Sequence, residues 1–156
     1  MLRMHGFVLV LHSWFRWVVL VTAIVVVVRA ITGWRSGRPW TLADDRASLW
    51  FGIALDVQVL IGLLLYFALS PITRAALQDF TGAMSNSGLR YWAVEHVFGV
   101  AIGLVLAHIG KSRVRRIGPD ARRHKVAAIF FGLSLLAIVV SIPWPGMPNG
   151  RPLLRW

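Results

Sequence analysis

The 156-residue chain is 57% hydrophobic and carries 17 lysines and arginines against six acidic residues, for a formal net charge of +11. A mean hydropathy of +0.67 is too high for an ordinary soluble domain. The lack of cysteine excludes disulfides, thiolate metal sites and covalent haem attachment. Four stretches reach the roughly 20 apolar residues that cross a bilayer: residues 7–31, 47–69, 89–109 and 126–142. The sequence predicts an all-α integral membrane protein, with residues 1–156 forming a single four-helix bundle.

The first apolar segment contains a histidine and an arginine at membrane depth. Arg3 precedes the segment as in a signal peptide, but the segment is too long and lacks a cleavage pattern, so we expect a mature helix. His12 lies about six residues inside it, and Arg16 follows one turn later on the same face. Because an ionisable group inside the hydrocarbon usually marks a function, both residues are candidate site residues.

The second segment carries Asp56 near its middle and Gln58 two residues later. Residues 71–88 then form a loop outside the membrane. Apolar side chains recur there every four residues, which predicts one short amphipathic helix lying on the membrane: Ile72, Ala76, Phe80 and Met84.

The third segment places a second histidine, His96, about seven residues inside the membrane from the same side as His12. At 1.5 Å per residue, both lie roughly 10 Å deep. Two neutral imidazoles facing each other across a helix bundle are suited to bind the iron of a b-type haem. Gly99 and Gly103 follow on or near the face of His96, where a flat macrocycle needs small residues. Alternatively, these glycines only permit close helix packing.

Two further histidines, His108 and His124, lie near the opposite membrane boundary. His108 is about 120° around the helix from His96, so the two do not share a face. His108 and His124 are weaker candidates for the ligands of a second haem, and the alternative is that both are interfacial. His5 lies at the interface, where we expect it to be solvated. A zinc site is not expected, because no three histidines converge at one depth.

Three charged residues, Arg16, Asp56 and Glu95, lie within the apolar segments. An unpaired charge at that depth costs several kcal/mol, so we expect each to be paired. Arg16 is expected to pair with Asp56, with Glu95 or with a haem propionate. Such a pair either fixes the helix register or takes part in a proton relay or a quinone site.

Basic residues are distributed unevenly between the two sides of the predicted bundle. Ten lie around the first and third connections, against five on the opposite side. The positive-inside rule places those two connections in the cytoplasm and both termini outside. Basic loops beside a bilayer are typical of contacts with anionic lipids rather than nucleic acid. The proline-rich tail, residues 143–156, is expected to be extended on the outer side and to dock on a neighbouring subunit through residues such as Arg155 and Trp156.

Several motifs, most of them rich in aromatic residues, occur along nearly the whole chain: Leu11-His12-Ser13-Trp14-Phe15-Arg16-Trp17, Arg46-Ala47-Ser48-Leu49, Leu60-Ile61-Gly62-Leu63, Tyr66-Phe67, Val94-Glu95-His96, Ile142-Pro143-Trp144-Pro145 and Gly150-Arg151-Pro152. Together they resemble a small bacterial four-helix membrane family whose members are labelled cytochrome b. The resemblance implies that His12 and His96 bind haem b, and it names no substrate. The architecture also resembles four-helix b-type cytochromes with two haems that exchange electrons with quinone.

The sequence therefore predicts a membrane b-type cytochrome in the bacterial inner membrane. It transfers electrons through one or two non-covalent haem b groups, either as a subunit of an electron-transfer complex or with quinone. A second hypothesis is a haem-free accessory subunit whose buried charges lock its packing. A third is a membrane oxidoreductase that acts on quinone or a small oxidant.

Overall fold

The chain is helical throughout the computed structural model, which describes residues 2–154. In chain order the helices are α1 (Leu2–Ser36), α2 (Leu42–Leu64), α3 (Pro71–Gln78), α4 (Phe80–Ser85), α5 (Ser87–Arg90), α6 (His96–Arg116) and α7 (Asp120–Ser141). Four helical stretches are long and apolar enough to cross a membrane: Arg3–Ser36, Leu42–Leu69, Ser87–Arg116 and Asp120–Ser141. The predicted all-α fold with four membrane-length helices is confirmed. All four helical stretches begin earlier than the predicted apolar stretches, and two end later, because polar first and last turns add to their length.

Two single-turn π-helical segments lie at the same end of the bundle. Leu65–Leu69 continues α2, and Tyr91–Glu95 joins α5 to α6. The Tyr66 hydroxyl donates a hydrogen bond of 2.8 Å to the carbonyl of Ala93, which links the two segments. A π turn inserts an extra residue and rotates everything after it around the helix axis. The second π turn ends directly before His96 and so sets the direction in which that side chain leaves the helix.

The single amphipathic helix predicted within residues 71–88 is wrong, because this region forms three short helices. The side chains of Ser70, Asp79 and Asn86 each accept a hydrogen bond from a backbone N–H at the start of α3, α4 and α5. Such capping residues favour a helix start and compete with continuation of the preceding helix. The break at Asp79 separates the apolar positions, so that Ala76 is fully buried while Phe80 is 51% exposed.

The four long helices pack in the order α2, α1, α7 and α6, with α6 and α7 in the closest contact. Helices α2 and α6 touch much less, so the bundle is loosely closed between them. The core lies along α1 and α7 and includes an edge-to-face contact between Phe51 and Phe131, with ring centroids 5.9 Å apart. Burial of these side chains holds α2 against α7 through the centre of the bundle.

Glycines allow α6 to approach α7 closely. A Cβ atom on Gly103 would lie 2.9 Å from Cγ1 of Ile138, and one on Gly99 would overlap the hydroxyl of Ser141. The Ser134 hydroxyl also donates to the carbonyl of Gly103 at 2.6 Å. The expectation that Gly99 and Gly103 receive a haem face is therefore wrong. They do share a side of α6 with His96, but that side packs against α7, as the close-packing alternative predicts.

The bundle has two chemically different ends. The connections at residues 37–41 and 117–119, with the adjoining helix turns, form what we call the basic end. Helices α3 to α5 and residues 142–154 form what we call the histidine end. The tail is not free there, because the carbonyl of Leu153 accepts hydrogen bonds from Arg16 Nη2 at 2.6 Å and from Trp17 Nε1 at 3.3 Å. Arg155 and Trp156, predicted to dock on a neighbouring subunit, lie outside the described residues.

Candidate functional site

A cavity of about 440 Å³ lies inside the histidine end of the bundle. Its wall consists mostly of apolar side chains from all four long helices. The polar and charged groups that reach it are few: His5, His12, Ser13, Arg16, Gln58, Tyr66, Ser70, Thr73, His96 and Arg151. A mainly apolar cavity of this size with a few convergent polar groups is typical of small-molecule and cofactor sites.

His12 on α1 and His96 on α6 face each other at this cavity. Their ring centroids are 6.4 Å apart, and the ring planes cross at 73°. An imidazole nitrogen binds a first-row metal at about 2 Å, so two rings on opposite sides of one ion have centroids about 6 Å apart. The structure thus brings together the two histidines that the sequence places at equal depth, at a separation suited to axial ligation.

The imidazole of His96 is oriented by the backbone of α7. Its Nδ1 lies 2.7 Å from the carbonyl oxygen of Ser141, which also accepts a hydrogen bond from the Tyr91 hydroxyl at 2.8 Å. A carbonyl oxygen only accepts, so Nδ1 carries the proton and Nε2 keeps its lone pair. Metal-binding histidines commonly donate their other ring N–H to a carbonyl in this way, which fixes both tautomer and ring orientation. The Nε2 atom of His96 is therefore left with a lone pair that can accept a further partner.

The imidazole of His12 lies against α2. Gln58 Nε2 donates to the backbone carbonyl of His12 at 3.0 Å and lies 3.3 Å from His12 Nε2. A Cβ atom on Gly62 would come within 3.2 Å of His12 Cε1, so the glycine leaves room for the ring. His12 Nδ1 and Gln58 Oε1 are buried and have no hydrogen-bond partner among the described residues. Buried polar atoms without a partner are uncommon in folded proteins, so each calls for an explanation.

The predicted pairing of Arg16 with Asp56 or Glu95 is wrong. Glu95 instead accepts from Arg90 at 2.8 Å, and Asp56 pairs with His108 at 2.8 Å. Both carboxylates are about half exposed on the outside of the bundle, whereas Arg16 lines the cavity and bonds to the tail. Sequence depth alone placed these charges near one another, but they lie on faces that point in different directions.

Arg151 is a second cation at the cavity that sequence analysis did not single out as a site residue. Its guanidinium lies 5.3 Å from the ring centroid of Trp92, close enough for a cation–π contact. His5, which we expected to be solvated, is only partly exposed and also lines the cavity. Arg151 reaches the cavity because the tail folds back over the histidine end, which no periodic pattern in the sequence predicts, whereas His5 reaches it from the first turns of α1.

The two weaker candidate histidines do not form a second pair. His108 bridges α6 to α2 through Asp56, with the histidine side chain 50% exposed and the aspartate 46% exposed. His124 is fully buried, with its ring centroid 4.9 Å from that of Trp40, and it occupies the space that a side chain at Gly33 would need. These contacts hold the two histidines against different helices, and neither lines the cavity.

A buried carboxylate, Asp44, organises the basic end and was missed by the sequence analysis. It accepts hydrogen bonds from Arg29 at 3.0 Å and from Arg38 at 2.7 and 2.8 Å, and its side chain is only 3% exposed. The backbone N–H and side chain of Thr41 bond to the same carboxylate. The hydrogen bond to Asp44 raises the pKa of the Arg38 guanidinium. This network holds the connection between α1 and α2 in place, and none of its residues lines the cavity at the histidine end.

No family model, curated protein or solved structure matches the chain. The likeness to the small cytochrome b family therefore stays a hypothesis that depends on the quoted motifs. The functional argument is carried by the cavity and by the contacts of the two histidines that face it.

Proposed function

We propose that this chain is a membrane b-type cytochrome that holds one non-covalent haem b between His12 and His96. The observation that carries the proposal is the 6.4 Å separation of the two imidazoles at a mainly apolar cavity of about 440 Å³. When bound, haem b supplies a one-electron carrier. We further propose that the protein resides in a bacterial inner membrane, with the basic end in the cytoplasm.

The residues at the cavity fit the needs of such a group. His96 keeps Nε2 available because Nδ1 is bonded to the Ser141 carbonyl. His12 has a buried Nδ1 without a partner among the described residues, and its Nε2 is contacted by the amide of Gln58. His96 thus keeps a lone pair for a metal, whereas a metal bound at His12 Nε2 would take the place of the Gln58 contact.

The charged residues at the cavity also match the charges of haem b. Haem b carries two propionate carboxylates, and guanidinium groups bind carboxylates through paired hydrogen bonds. Arg16 and Arg151 both line the cavity and offer such groups. The largely apolar wall excludes water, which strengthens any charge interaction made there. Gly99 and Gly103 have no part in this site, because they pack against α7.

The electron partner is proposed from how little of the described chain lies outside the four long helices. The described chain outside the four long helices amounts to short helices, connections and a short tail, which form no separate domain for a large substrate. A quinone in the bilayer or another membrane subunit is therefore the proposed partner. Either could approach between α2 and α6, where the bundle is loosely closed.

A haem-free accessory subunit is the second candidate function. The observation that favours it is the contact between Gln58 and His12, which already engages one ring nitrogen with a side-chain amide. A histidine held in this way serves helix packing without any ligand. Under this hypothesis, the cavity would be filled by lipid chains or by a partner helix.

A reduced-minus-oxidised absorbance spectrum of the purified full-length protein separates the two candidates. We expect the α-band of a low-spin b-type haem in the wild type, and its loss in His12→Ala and in His96→Ala. His5→Ala is the matched control, since it removes a histidine from the same cavity, and it should keep the band. A six-coordinate spectrum retained in either of the first two variants contradicts the ligand assignment. No haem signal in folded wild type from haem-supplemented cells favours the accessory subunit.

A further inference from the structure

A second concavity, a groove of about 520 Å³, lies at the basic end between α2 and α6. Arg46 on α2 and Lys111 and Arg115 on α6 line it, and Arg123 reaches it from α7. Asp45 is the one carboxylate among its lining residues. Four cations and one anion thus converge in a cleft between two membrane-length helices.

The groove keeps an excess of positive charge, although Asp45 lines it and Asp56 attracts Lys111. Among residues 2–154, none of the four cations lies within ion-pair distance of a carboxylate. One oxygen of Asp45 is already engaged, accepting a hydrogen bond of 2.9 Å from Trp40 Nε1. Arg123 is held in place by a hydrogen bond of 2.6 Å from its Nε to the carbonyl of Ile117. Like charges that line one groove repel one another, and an anion bound between them relieves the repulsion.

The placement of the cations suits a ligand at the surface of a bilayer. The Lys111 ammonium lies against α2, where a Cβ atom on Gly52 would be in ordinary contact with Nζ at 3.6 Å. Arg115 is one turn further along the same face of α6. Apolar side chains of Leu42, Leu49 and Val114 complete the wall. The groove therefore combines a cluster of cations with apolar sides at the end of two membrane-length helices.

We propose that this groove binds the phosphate of an anionic phospholipid, whose acyl chains lie along the loosely packed face between α2 and α6. Basic pockets between membrane helices bind anionic headgroups by the same chemistry. The lipid phosphate would supply the anion that the four cations lack. A lipid seated there would also cover the Asp56–His108 bridge, which is about half exposed on this face. The proposal is independent of the haem site, which lies at the other end of the bundle.

Thermal unfolding in a neutral detergent tests the lipid site. A ligand that binds only the folded state raises Tm with increasing concentration by mass action. We expect phosphatidylglycerol to raise the Tm of the wild type, and phosphatidylcholine with the same acyl chains to leave it unchanged. The double variant Lys111→Gln/Arg115→Gln should bind phosphatidylglycerol at least tenfold more weakly. The control Arg35→Gln/Arg122→Gln removes two exposed charges from the same end, outside the groove, and should respond like the wild type.

Three results would overturn the proposal. One is a phosphatidylglycerol shift of wild-type size in the Lys111/Arg115 variant. Another is an equal loss of the shift in the control, which indicates general attraction to a basic surface. A third is an equal Tm shift of the wild type with inorganic phosphate, which identifies a site for free anions. If the double variant does not fold, Arg46→Gln gives the same comparison. Native mass spectrometry then counts the phosphatidylglycerol molecules that this variant and the wild type each retain.

Discussion

Each end of the bundle holds a histidine between its helices, partly buried at one end and fully buried at the other, with opposite consequences. At the histidine end, His96 borders a cavity, faces His12 and has one ring nitrogen oriented by the Ser141 carbonyl. At the basic end, His124 is fully buried beside Trp40, and both ring nitrogens lack a hydrogen-bond partner among the described residues. His124 lines neither the cavity nor the groove. Burial alone therefore does not favour metal binding by a histidine; we propose His96 as a ligand because it has an adjoining cavity and an orienting hydrogen bond.

The charged residues also differ between the two ends: one set is paired within the protein, and the other borders a cavity. Asp44 is enclosed by Arg29 and Arg38, so the protein satisfies this carboxylate with its own side chains. At the other end, Arg16 and Arg151 line a cavity large enough for a ligand. We infer that substitutions at the basic-end network change stability, whereas substitutions at the cavity change ligand binding. The following predictions test that division, from the largest expected effect to the smallest.

Asp44→Asn should cause the largest loss of stability at the basic end. The change removes the charge that accepts hydrogen bonds from two guanidinium groups, and we expect a cost of about 2–3 kcal/mol in the free energy of unfolding. The estimate stays below that for a fully buried ion pair because both arginines are about one-third exposed. Denaturant titration followed by circular dichroism measures it, with the haem spectrum unchanged. Asp45→Asn is the control and should cost less than 1 kcal/mol, because its carboxylate has only the Trp40 contact. Equal costs for the two variants contradict the assigned role of Asp44.

Gly103→Ala should destabilise the contact between α6 and α7 while leaving His12 and His96 in place. The added Cβ atom would lie 2.9 Å from Cγ1 of Ile138 and 3.3 Å from the carbonyl oxygen of Ser134, so we expect a cost of about 1–3 kcal/mol from overpacking. Gly132→Ala is the matched control in α7, where an added Cβ meets nothing within 4 Å. This control should be neutral or stabilising by up to about 1 kcal/mol. A Gly103→Ala variant of normal stability that loses the haem band would place a cofactor against α6 after all.

His124→Leu should have the smallest effect. Replacing a buried polar group that lacks partners with an apolar side chain of similar size is close to neutral, so we expect a change within about 1 kcal/mol. The haem spectrum should be retained, whereas His96→Leu should lose it. Spectra and unfolding curves of both variants, recorded at equal protein concentration, make the comparison. Loss of the spectrum in His124→Leu would mean that the basic end holds a ligand and that the contrast between the two ends is wrong.

Length and hydropathy were sufficient to predict the four membrane-length helices, because crossing a bilayer imposes a length of apolar chain that can be counted directly. Counting residues inward from the membrane boundary also placed His12 and His96 at equal depth. The 3.6-residue period put Gly99 on the same side of α6 as His96. These features depend on one helix at a time, which is why the sequence alone reveals them.

Only the tertiary structure decided which helix each face meets. The sequence left open whether Gly99 and Gly103 on α6 meet a cofactor or another helix, and they meet α7, while His96 on the same side also borders the cavity. The tail brings Leu153 to Arg16, and Asp56 turns outward to His108. The physical reason is that side-chain pairing in a bundle depends on the order of the helices around it and on the rotation of each about its axis. The π turn before His96 shifts that rotation by one residue, and hydrophobic periodicity in the sequence carries no record of either quantity.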